Sequence, residues 1–302
     1  MQLQLSFKII NTVAFLLIGF LWGLNWPAVK FILTEIPPLT MRAISFTAAA
    51  CILAAVVRFL KQPLSLKKNE AIPTALIGLF LIFGFNILTT FGQMLLETSK
   101  ATIIAYTMPS LTATLAAIYL GERIGLSVLA ALILAMGGLI ILASENFLAL
   151  ITNPLGPTIM MFAALSWAIG NVGLKSRTWL SKPLALTMWF FVFSSLAIWP
   201  LVFIYEPLGT QSWPNIRIIG VLIFHILGPM ITCYLLWALM VSRLSVTIAS
   251  ISVLTAPVVG VLSSALLLGD TFTWQKLVAL MAIILSISLV TFQGDEKAKR
   301  KD

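Results

Sequence analysis

The sequence predicts an all-α protein, a polytopic membrane bundle of ten transmembrane helices arranged as two inverted five-helix repeats. Three observations predict this fold. Of the 302 residues, 60% are hydrophobic and 10% are charged, which is far too apolar for a water-soluble domain. The apolar residues form uninterrupted blocks long enough to cross a hydrocarbon core, which takes about 20 helical residues. The two halves of the chain also resemble each other.

Proline, glycine and charged clusters divide the apolar residues into ten blocks. The predicted spans are 11–33, 39–60, 71–95, 98–119, 125–144, 155–175, 183–204, 216–241, 246–268 and 274–292. Blocks of this length favour helices over the short alternating strands of a membrane barrel. The first block is too long for a signal-peptide core and has no small-residue cleavage site, so we expect it to remain as a helix.

Basic residues are distributed unequally between the two sets of loops. All but five of the 19 lysines and arginines fall on the side of the N-terminus. The positive-inside rule therefore predicts an inner-membrane protein with cytoplasmic N- and C-termini. The net charge of +9 reports this orientation, and no nucleic-acid partner is expected because no basic domain is present. Lys30, Arg42 and Lys100 fall on the outer side, where they are candidates to meet a substrate carboxylate.

The chain resembles itself at an offset near 145 to 148 residues. The match is clearest between TIIAYTMPSLTATLAAIYLGER (102–123) and SISVLTAPVVGVLSSALLLGDT (250–271). Five spans in each half make corresponding helices run in opposite directions, as in many secondary transporters. We therefore expect repeats at 1–148 and 149–293 and a disordered cytoplasmic tail at 294–302. The alternative is a duplication that only enlarges the scaffold.

The first span contains the stretch LWGLNWPAVK (21–30), in which Trp22 shares a helix face with Asn25 or Trp26. Pro27 removes a backbone donor, which leaves the carbonyl group one turn earlier without its usual partner. Such polar groups are tolerated in a membrane only against protein or a hydrated cavity. This pattern predicts a hinge at Pro27 and a substrate-binding wall. The alternative is that Asn25 caps the proline kink inside packed protein.

Two further spans carry polar stripes. Asn86, Thr90 and Gln93 are spaced i, i+4 and i+7, so they share one face that would be costly against lipid. We predict that this face lines a substrate cavity, with interhelical hydrogen bonding as the alternative. Thr102 and Tyr106 form a similar stripe in the fourth span.

The fourth and ninth spans contain corresponding prolines, Pro109 and Pro257, and Ser250 corresponds to the polar stripe of the fourth span. We predict that Ser250 binds substrate and that both prolines act as hinges, although proline in membrane helices is also often static. In the sixth span Trp167 and Asn171 repeat the opening motif. This pair is predicted to face the cavity, with simple packing as the alternative.

His225 is the single histidine and lies near the middle of the eighth span. Because imidazole titrates near neutral pH, His225 is the candidate proton carrier, and a hydrogen-bonded structural role is the alternative. Gly228 and Pro229 follow as a predicted hinge, and Thr232 as a further predicted substrate-binding residue.

Several motifs together resemble the EamA-type family of the drug/metabolite transporter superfamily. They are WGLNWPAVK, IPPLTMRA, AYTMP with LGER, ALSWAIGN and LTAPVVGVLSSALLLGD. The resemblance implies ten helices and a central cavity lined by helices one to four and six to nine. It also implies transport by alternating exposure of that cavity, of amino acids, sugars, nucleobase-like metabolites or drugs.

The predicted function is therefore secondary transport, with export of amino acids or related small metabolites through the lipid bilayer. No cofactor is expected because the chain has no phosphate-binding GxxxxGK(S/T) motif, and no metal site is expected either. No catalytic residues are predicted, since there is no GxSxG motif. Proton coupling through His225 and uncoupled exchange both remain open, as do a monomer and a homodimer. The alternative functions are a passive channel and a lipid flippase.

Overall fold

A computed structural model describes the backbone of residues 2–122, 125–145, 152–207, 209, 211–244, 249, 253 and 255–299. All regular structure in these ranges is helical. The α-helices are α1 (Gln2–Ile32), α2 (Pro38–Phe59), α3 (Ala71–Gly78), α4 (Phe85–Leu95), α5 (Thr98–Ala105), α6 (Met108–Leu120), α7 (Leu126–Ser144), α8 (Leu155–Lys175), α9 (Pro183–Tyr205), α10 (Ile216–His225), α11 (Tyr234–Arg243), α12 (Thr255–Leu268) and α13 (Trp274–Lys299).

Seven helical stretches are long and apolar enough to cross a membrane within the described part of the chain. They are Val13–Ile32, Pro38–Phe59, Ala71–Leu95, Thr98–Leu120, Leu155–Lys175, Pro183–Tyr205 and Ile216–Arg243. Three shorter apolar helices, Leu129–Leu142, Thr255–Leu268 and Trp274–Ser286, fall in the other three predicted blocks. The protein is therefore an all-helical, multi-pass membrane protein.

Two of the predicted blocks contain a π-helical segment, in which each turn holds one residue more than in an α-helix. The first π segment, Leu79–Gly84, joins α3 to α4, and the second π segment, Ile226–Cys233, joins α10 to α11. The sequence offset of 145 to 148 residues places the two π segments at corresponding positions in the two halves of the chain. A third block is broken at Tyr106 and Thr107, between α5 and α6.

Proline and glycine set several helix ends. Pro38 and Pro183 occupy the first turns of α2 and α9, where the missing N–H costs no helical hydrogen bond. Gly121 follows α6 with φ 65°, and Gly269 follows α12 with φ 72°. This left-handed backbone is readily adopted by glycine and ends a helix. The sequence aligns these two glycines, and they have the same backbone conformation.

Helices from the two halves of the chain pack against each other throughout the bundle. In two contacts a helix meets its own counterpart: α2 packs on α9, and α7 packs on α13. Helix α5, which precedes α6 in the fourth predicted span, packs on α12, the counterpart of α6. Several other contacts come in exchanged pairs. α1 packs on α12 while α8 packs on α6, and α1 packs on the second π segment while α8 packs on the first. The core lies along these contacts, around Trp22, Trp167 and Trp237.

Glutamates join loops of the two halves at both ends of the bundle. At the end where α2 finishes and α3 begins, the Glu70 carboxylate accepts the backbone N–H groups of Leu180 (2.6 Å) and Ser181 (3.2 Å). Burial alone would raise the pKa of Glu70. The hydrogen bonds from Ser181 and Leu180, together with the nearby Arg177 charge, stabilise the carboxylate and hold its pKa below the ordinary value.

At the opposite end, where α1 finishes and α2 begins, Glu206 accepts the backbone N–H groups of Leu39 (3.0 Å) and Thr40 (2.7 Å). Glu35 accepts the N–H of Asn215 at 2.6 Å. A carboxylate at the first turn of a helix satisfies donors that have no partner within the helix. These contacts fix the loops around the start of α2.

Two lysine–carbonyl contacts occupy corresponding positions. Lys30, near the end of α1, donates to the carbonyl oxygens of Gln93 (2.5 Å) and Leu96 (3.4 Å) at the end of α4. Lys175, at the end of α8, donates to the carbonyl oxygen of Val241 (3.0 Å) near the end of α11. Each lysine thus compensates carbonyl groups that a helix end leaves free.

Candidate functional site

A small central cavity lies between α1, α2, α4, α6, α8, the second π segment and the start of α11. Its volume is about 30 Å³, enough for one or two water molecules. Its lining is aromatic and polar, and consists of Trp22, Asn25, Trp26, Arg42, Phe85, Asn86, Thr89, Gln93, Tyr106, Met108, Trp167, Met230 and Tyr234. The cavity is therefore too small to hold a metabolite in this conformation.

A hydrogen-bonded network centred on Arg42 forms one wall of this cavity. The Arg42 side chain is 1% exposed. Its Nε donates to Thr90 Oγ1 at 2.7 Å, and its Nη1 donates to Asn86 Oδ1 at 3.1 Å. Asn86 Nδ2 in turn donates to the Tyr234 hydroxyl at 2.8 Å. The network links α2, α4 and α11.

His225 extends the network to α1. Its Nε2 lies 3.2 Å from Arg42 Nη1, and its Nδ1 lies 2.5 Å from Asn25 Oδ1. A guanidinium only donates hydrogen bonds and an amide oxygen only accepts them. The geometry therefore fits a neutral imidazole that accepts at Nε2 and donates from Nδ1. A protonated ring would point an N–H at the Arg42 N–H.

Some backbone carbonyl groups of the π segments accept hydrogen bonds from side chains in or beside the cavity wall. Ser166 Oγ donates to the Phe80 carbonyl at 2.7 Å, and Asn86 Nδ2 donates to the Ile82 carbonyl at 2.8 Å. In the second π segment, Trp22 Nε1 donates to the Pro229 carbonyl at 3.2 Å. Buried backbone groups need such partners. The irregular backbone thereby orients Asn86 and Trp22 within the cavity wall.

Aromatic rings form the other wall. Trp22 and Trp167 correspond in the two halves. The centres of their rings lie 5.3 Å apart in an edge-to-face arrangement. The centre of the Tyr234 ring lies 5.6 Å from that of Trp22 and 5.9 Å from that of Trp167. The ring centres of Phe85 and Trp167 are 4.8 Å apart. Such contacts are worth about 0.5–1.5 kcal/mol each beyond the buried area. The cluster gives the cavity an apolar, rigid surface.

Most of the residues predicted for the site line this cavity. The lining includes Trp22, Asn25, Trp26, Asn86, Gln93, Tyr106 and Trp167. Two others, Thr90 and His225, contact Arg42 directly and so lie just behind the lining.

Four predicted site residues lie elsewhere. Asn171 is buried behind the cavity, where its Oδ1 accepts from Trp237 Nε1 at 2.6 Å. Thr102 donates to the Thr98 carbonyl at 2.7 Å, and Thr232 donates to the Leu227 carbonyl at 2.8 Å. Ser250 lies outside the described residues.

Of the five predicted hinge residues, three coincide with helix irregularities, one lies inside an intact helix and one lies in the first turn of a helix. Pro109 lies in the first turn of α6, just after the break at Tyr106 and Thr107. Gly228 and Pro229 lie within the second π segment. Helix α1, in contrast, continues through Pro27 to Ile32. Pro257 is the third residue of α12.

The sequence does not reveal the central position of Arg42. Counting basic residues assigns it to the outer side, yet its guanidinium lies within the bundle. The available signal is its place four residues after Pro38, inside an apolar span, where a charge would be costly against lipid. The aromatic residues Phe85 and Tyr234 carry no such signal, since a lipid-facing ring has the same sequence pattern.

A second cavity, of about 630 Å³, opens at the end where α8 and α11 finish. Its basic residues are Lys175 and Arg177, and Trp179 and Ser181 contribute to its rim. The Arg177 guanidinium lies 4.9 Å from the centre of the Trp179 ring, which is a cation–π distance. This cavity has a positive surface next to the Lys175 contact.

Known proteins resemble this chain over nearly its whole length. A probable amino-acid metabolite efflux pump of Salmonella typhimurium is 27% identical over 299 residues, which covers 92% of this chain and 93% of that protein. The protein of the same description from Escherichia coli is 26% identical over 286 residues, with 92% and 93% covered. The uncharacterized transporter YoaV of Bacillus subtilis is 22% identical over 273 residues, with 90% and 93% covered.

A crystal structure with 17% sequence identity has the same fold, with a TM-score of 0.74 over 95% of this chain and 98% of that chain. The model of the EamA-like transporter family matches residues 10–144 and 154–292. The family and the relatives are described as transporters, not as enzymes. The chain therefore belongs to the EamA-like transporter family.

Proposed function

We propose that this protein is an inner-membrane secondary transporter that exports amino acids or related small metabolites by alternating access. The observation that carries the proposal is the small central cavity, in which a polar network and an aromatic cluster meet between the two halves of the chain. Ligand sites of this kind combine apolar walls with a few fixed polar groups. The names of the two efflux-pump relatives support the substrate class.

The proposed architecture is ten transmembrane spans in two inverted repeats, 1–148 and 149–293. Four structural correspondences support it. The helix contacts occur in exchanged pairs, and the two π segments fall at corresponding positions. The left-handed glycines Gly121 and Gly269 correspond, as do the lysine–carbonyl contacts of Lys30 and Lys175. Duplication that only enlarged a scaffold would not require the helix breaks to match.

The two lysine–carbonyl contacts support alternating access. Lys30 and Lys175 each join the end of one helix to the end of another, at corresponding sites of the two repeats. In inverted repeats such sites lie at opposite faces of the membrane. Both contacts are formed in this structure, and a cavity of about 30 Å³ is too small to hold a metabolite. Opening of one contact at a time would expose the cavity to one side.

The test is counterflow in proteoliposomes. Vesicles loaded with an unlabelled amino acid should transiently accumulate the labelled form in proportion to functional protein, with saturation as its external concentration rises. Unloaded vesicles should show no transient accumulation, because a carrier needs internal substrate for exchange. Linear, non-saturating entry in both kinds of vesicle would indicate a passive channel, and movement of labelled lipid between leaflets would indicate a flippase.

We further propose that both termini are cytoplasmic. This orientation places the cavity with Lys175 and Arg177 on the cytoplasmic side. A positive surface there agrees with the distribution of basic residues in the loops. It would attract the carboxylate group of a metabolite before export.

A further inference from the structure

The guanidinium of Arg42 is a positive charge buried inside a membrane bundle. It is 1% exposed, and its hydrogen-bond partners are the hydroxyl of Thr90, the amide oxygen of Asn86 and the imidazole of His225. All three are neutral in the geometry described above. Buried charges in proteins are ordinarily paired with an opposite charge, because removing an ion from water costs several kcal/mol or more.

No carboxylate of the described residues pairs with Arg42. Side-chain ion pairs in that part of the chain join Glu97 to Lys100 at 3.6 Å and to Lys276 at 3.0 Å. The lining of the central cavity likewise contains arginine but neither aspartate nor glutamate. The positive charge therefore faces a cavity whose walls do not supply its counter-ion.

Two further groups in the same lining have no partner. Gln93 is 2% exposed, and its Oε1, a hydrogen-bond acceptor, is buried without a donor. Trp167 is 1% exposed, and its Nε1, a donor, is buried without an acceptor. Leaving such groups unsatisfied costs about 1–3 kcal/mol each. A cavity with a cation, an unused acceptor and an unused donor is suited to a ligand that carries both charges.

We propose that Arg42 binds the carboxylate of the substrate, that Gln93 Oε1 accepts a hydrogen bond from its ammonium group, and that the rings of Trp22, Trp167 and Tyr234 receive an apolar side chain. This inference rests on the proposed transport function and specifies its substrate class: zwitterionic α-amino acids with aliphatic or aromatic side chains. The Nε and Nη1 groups of Arg42 are used by Thr90, Asn86 and His225, which leaves the two N–H groups of Nη2 to donate charge-assisted hydrogen bonds to a carboxylate. The edge-to-face rings would exclude water from the pair of Arg42 guanidinium and substrate carboxylate. The attraction between these two charges is stronger where water is absent.

The cavity must widen to admit such a ligand. Two methionines of the lining, Met108 and Met230, are unbranched and adapt to ligands of different shapes. Met108 begins α6 directly after the helix break, and Met230 lies in the second π segment. The flexible side chains therefore lie on the two irregular elements of the wall.

The test compares analogues of one amino acid as competitors of labelled L-phenylalanine counterflow. Phenylalanine retains both charges, phenylalaninamide and phenylethylamine lack the carboxylate, and phenylpropionate lacks the ammonium. For the parent protein we expect the two carboxylate-free analogues to compete about 10- to 100-fold less well than phenylalanine, the range for loss of a charged hydrogen bond. Equal competition by amide and acid would overturn the role of Arg42 while leaving the transport proposal intact.

Variants separate the two ends of the ligand. Arg42→Gln should abolish the preference for phenylalanine over phenylalaninamide, which is the acid-to-amide preference. Arg42→Lys should restore part of that preference. Gln93→Met should instead let phenylpropionate compete as well as phenylalanine. Arg58→Gln is the matched control, because Arg58 lies on the same helix but is exposed, and the acid-to-amide preference should not change.

The melting temperature and elution profile of each purified variant show whether it is folded. If Arg42→Gln does not fold, the analogue series on the parent still decides the carboxylate requirement. An Arg42→Gln protein that folds and keeps the parental preference for acid over amide would refute the inference. Absence of counterflow with every amino acid in the parent would instead remove the proposed substrate class, and the inference with it.

Discussion

At the scale of single residues, Asn86 holds the central network together. Its Oδ1 accepts from Arg42, and its Nδ2 donates both to the Ile82 carbonyl and to the Tyr234 hydroxyl. Each polar atom of this amide thus has a partner, in a place where an unsatisfied one would be costly. Asn86 therefore fixes the direction of the Arg42 guanidinium.

His225 gives a prediction at this scale. Glutamine can accept from Arg42 and donate to Asn25 as the neutral imidazole does, so His225→Gln should keep counterflow within about threefold of the parent. His225→Leu removes both hydrogen bonds and should lower the rate about 10- to 100-fold. The measurement is initial counterflow rate between about pH 5.5 and 7.5, where an unperturbed histidine titrates.

The same variants decide the question of proton coupling. If the imidazole only positions Arg42, the pH dependence of His225→Gln matches that of the parent. A parent that accumulates substrate under an imposed pH gradient, combined with a His225→Gln protein that exchanges substrate but no longer accumulates it, would make His225 the proton carrier instead.

At the scale of elements, glycines allow helices to approach the π segments closely. A methyl group at Gly170 of α8 would lie 2.8 Å from the backbone N and Cα of Leu81 in the first π segment. We predict that Gly170→Ala destabilises the protein by about 1–3 kcal/mol, because backbone atoms must move apart. The melting temperature of the purified protein in detergent measures this change.

Gly220→Ala is the control for that experiment. Gly220 also lies inside a helix, α10, but nothing would lie within 4 Å of an added methyl group. Alanine is favoured over glycine in a helix by about 0.5–1 kcal/mol, so this variant should be as stable as the parent or slightly more stable. Equal melting temperatures for the two variants would contradict the close approach at Gly170.

The elements also show where reasoning from sequence succeeds and where it stops. The polar stripe of Asn86, Thr90 and Gln93 is predictable because all three lie in one regular helix, α4. Thr102 has the same kind of spacing but packs near Gly260 of α12, which periodicity alone does not reveal. Gly228 and Pro229 mark the second π segment in the sequence, but the first, Leu79–Gly84, contains no proline, and its extra residue per turn depends on tertiary contacts.

At the scale of the whole molecule, seven of the ten predicted blocks coincide with helical stretches that are long and apolar enough to cross a membrane, because length and apolarity determine what can cross a bilayer. The position of Arg42 does not follow from the same reasoning. The positive-inside rule treats a basic residue near a span end as part of a loop, whereas burial of its charge depends on which helices surround it. Assembly of the two halves thus creates a site that neither half specifies.

The proposed inversion of the repeats gives a prediction about accessibility. Thr34 follows α1 and Ser176 follows α8, both are exposed, and each lies within four residues after one of the two corresponding lysines, Lys30 and Lys175. In a background with Cys51→Ala and Cys233→Ala, Thr34→Cys should react with a membrane-impermeant maleimide in intact cells. Ser176→Cys should react only after the membrane is made permeable.

A membrane-permeant maleimide, which should label both cysteines, is the control for that experiment. Labelling of both variants from the same side would contradict inverted repeats. The reversed pattern would keep the inversion but place the N-terminus outside.

The first π segment also determines the angular register of the polar stripe. Successive residues of an α-helix are separated by about 100° around the axis, so one extra residue in a turn rotates everything after it by that angle. A continuous α-helix from Ala71 onward would therefore turn Asn86, Thr90 and Gln93 about 100° away from the faces they now present. Because Leu79–Gly84 is π-helical, Asn86 and Thr90 meet the guanidinium of Arg42 instead of a neighbouring helix surface or lipid. The orientation of the site thus depends on one additional residue in a single turn, which ends nine residues before Gln93, the last side chain that it orients.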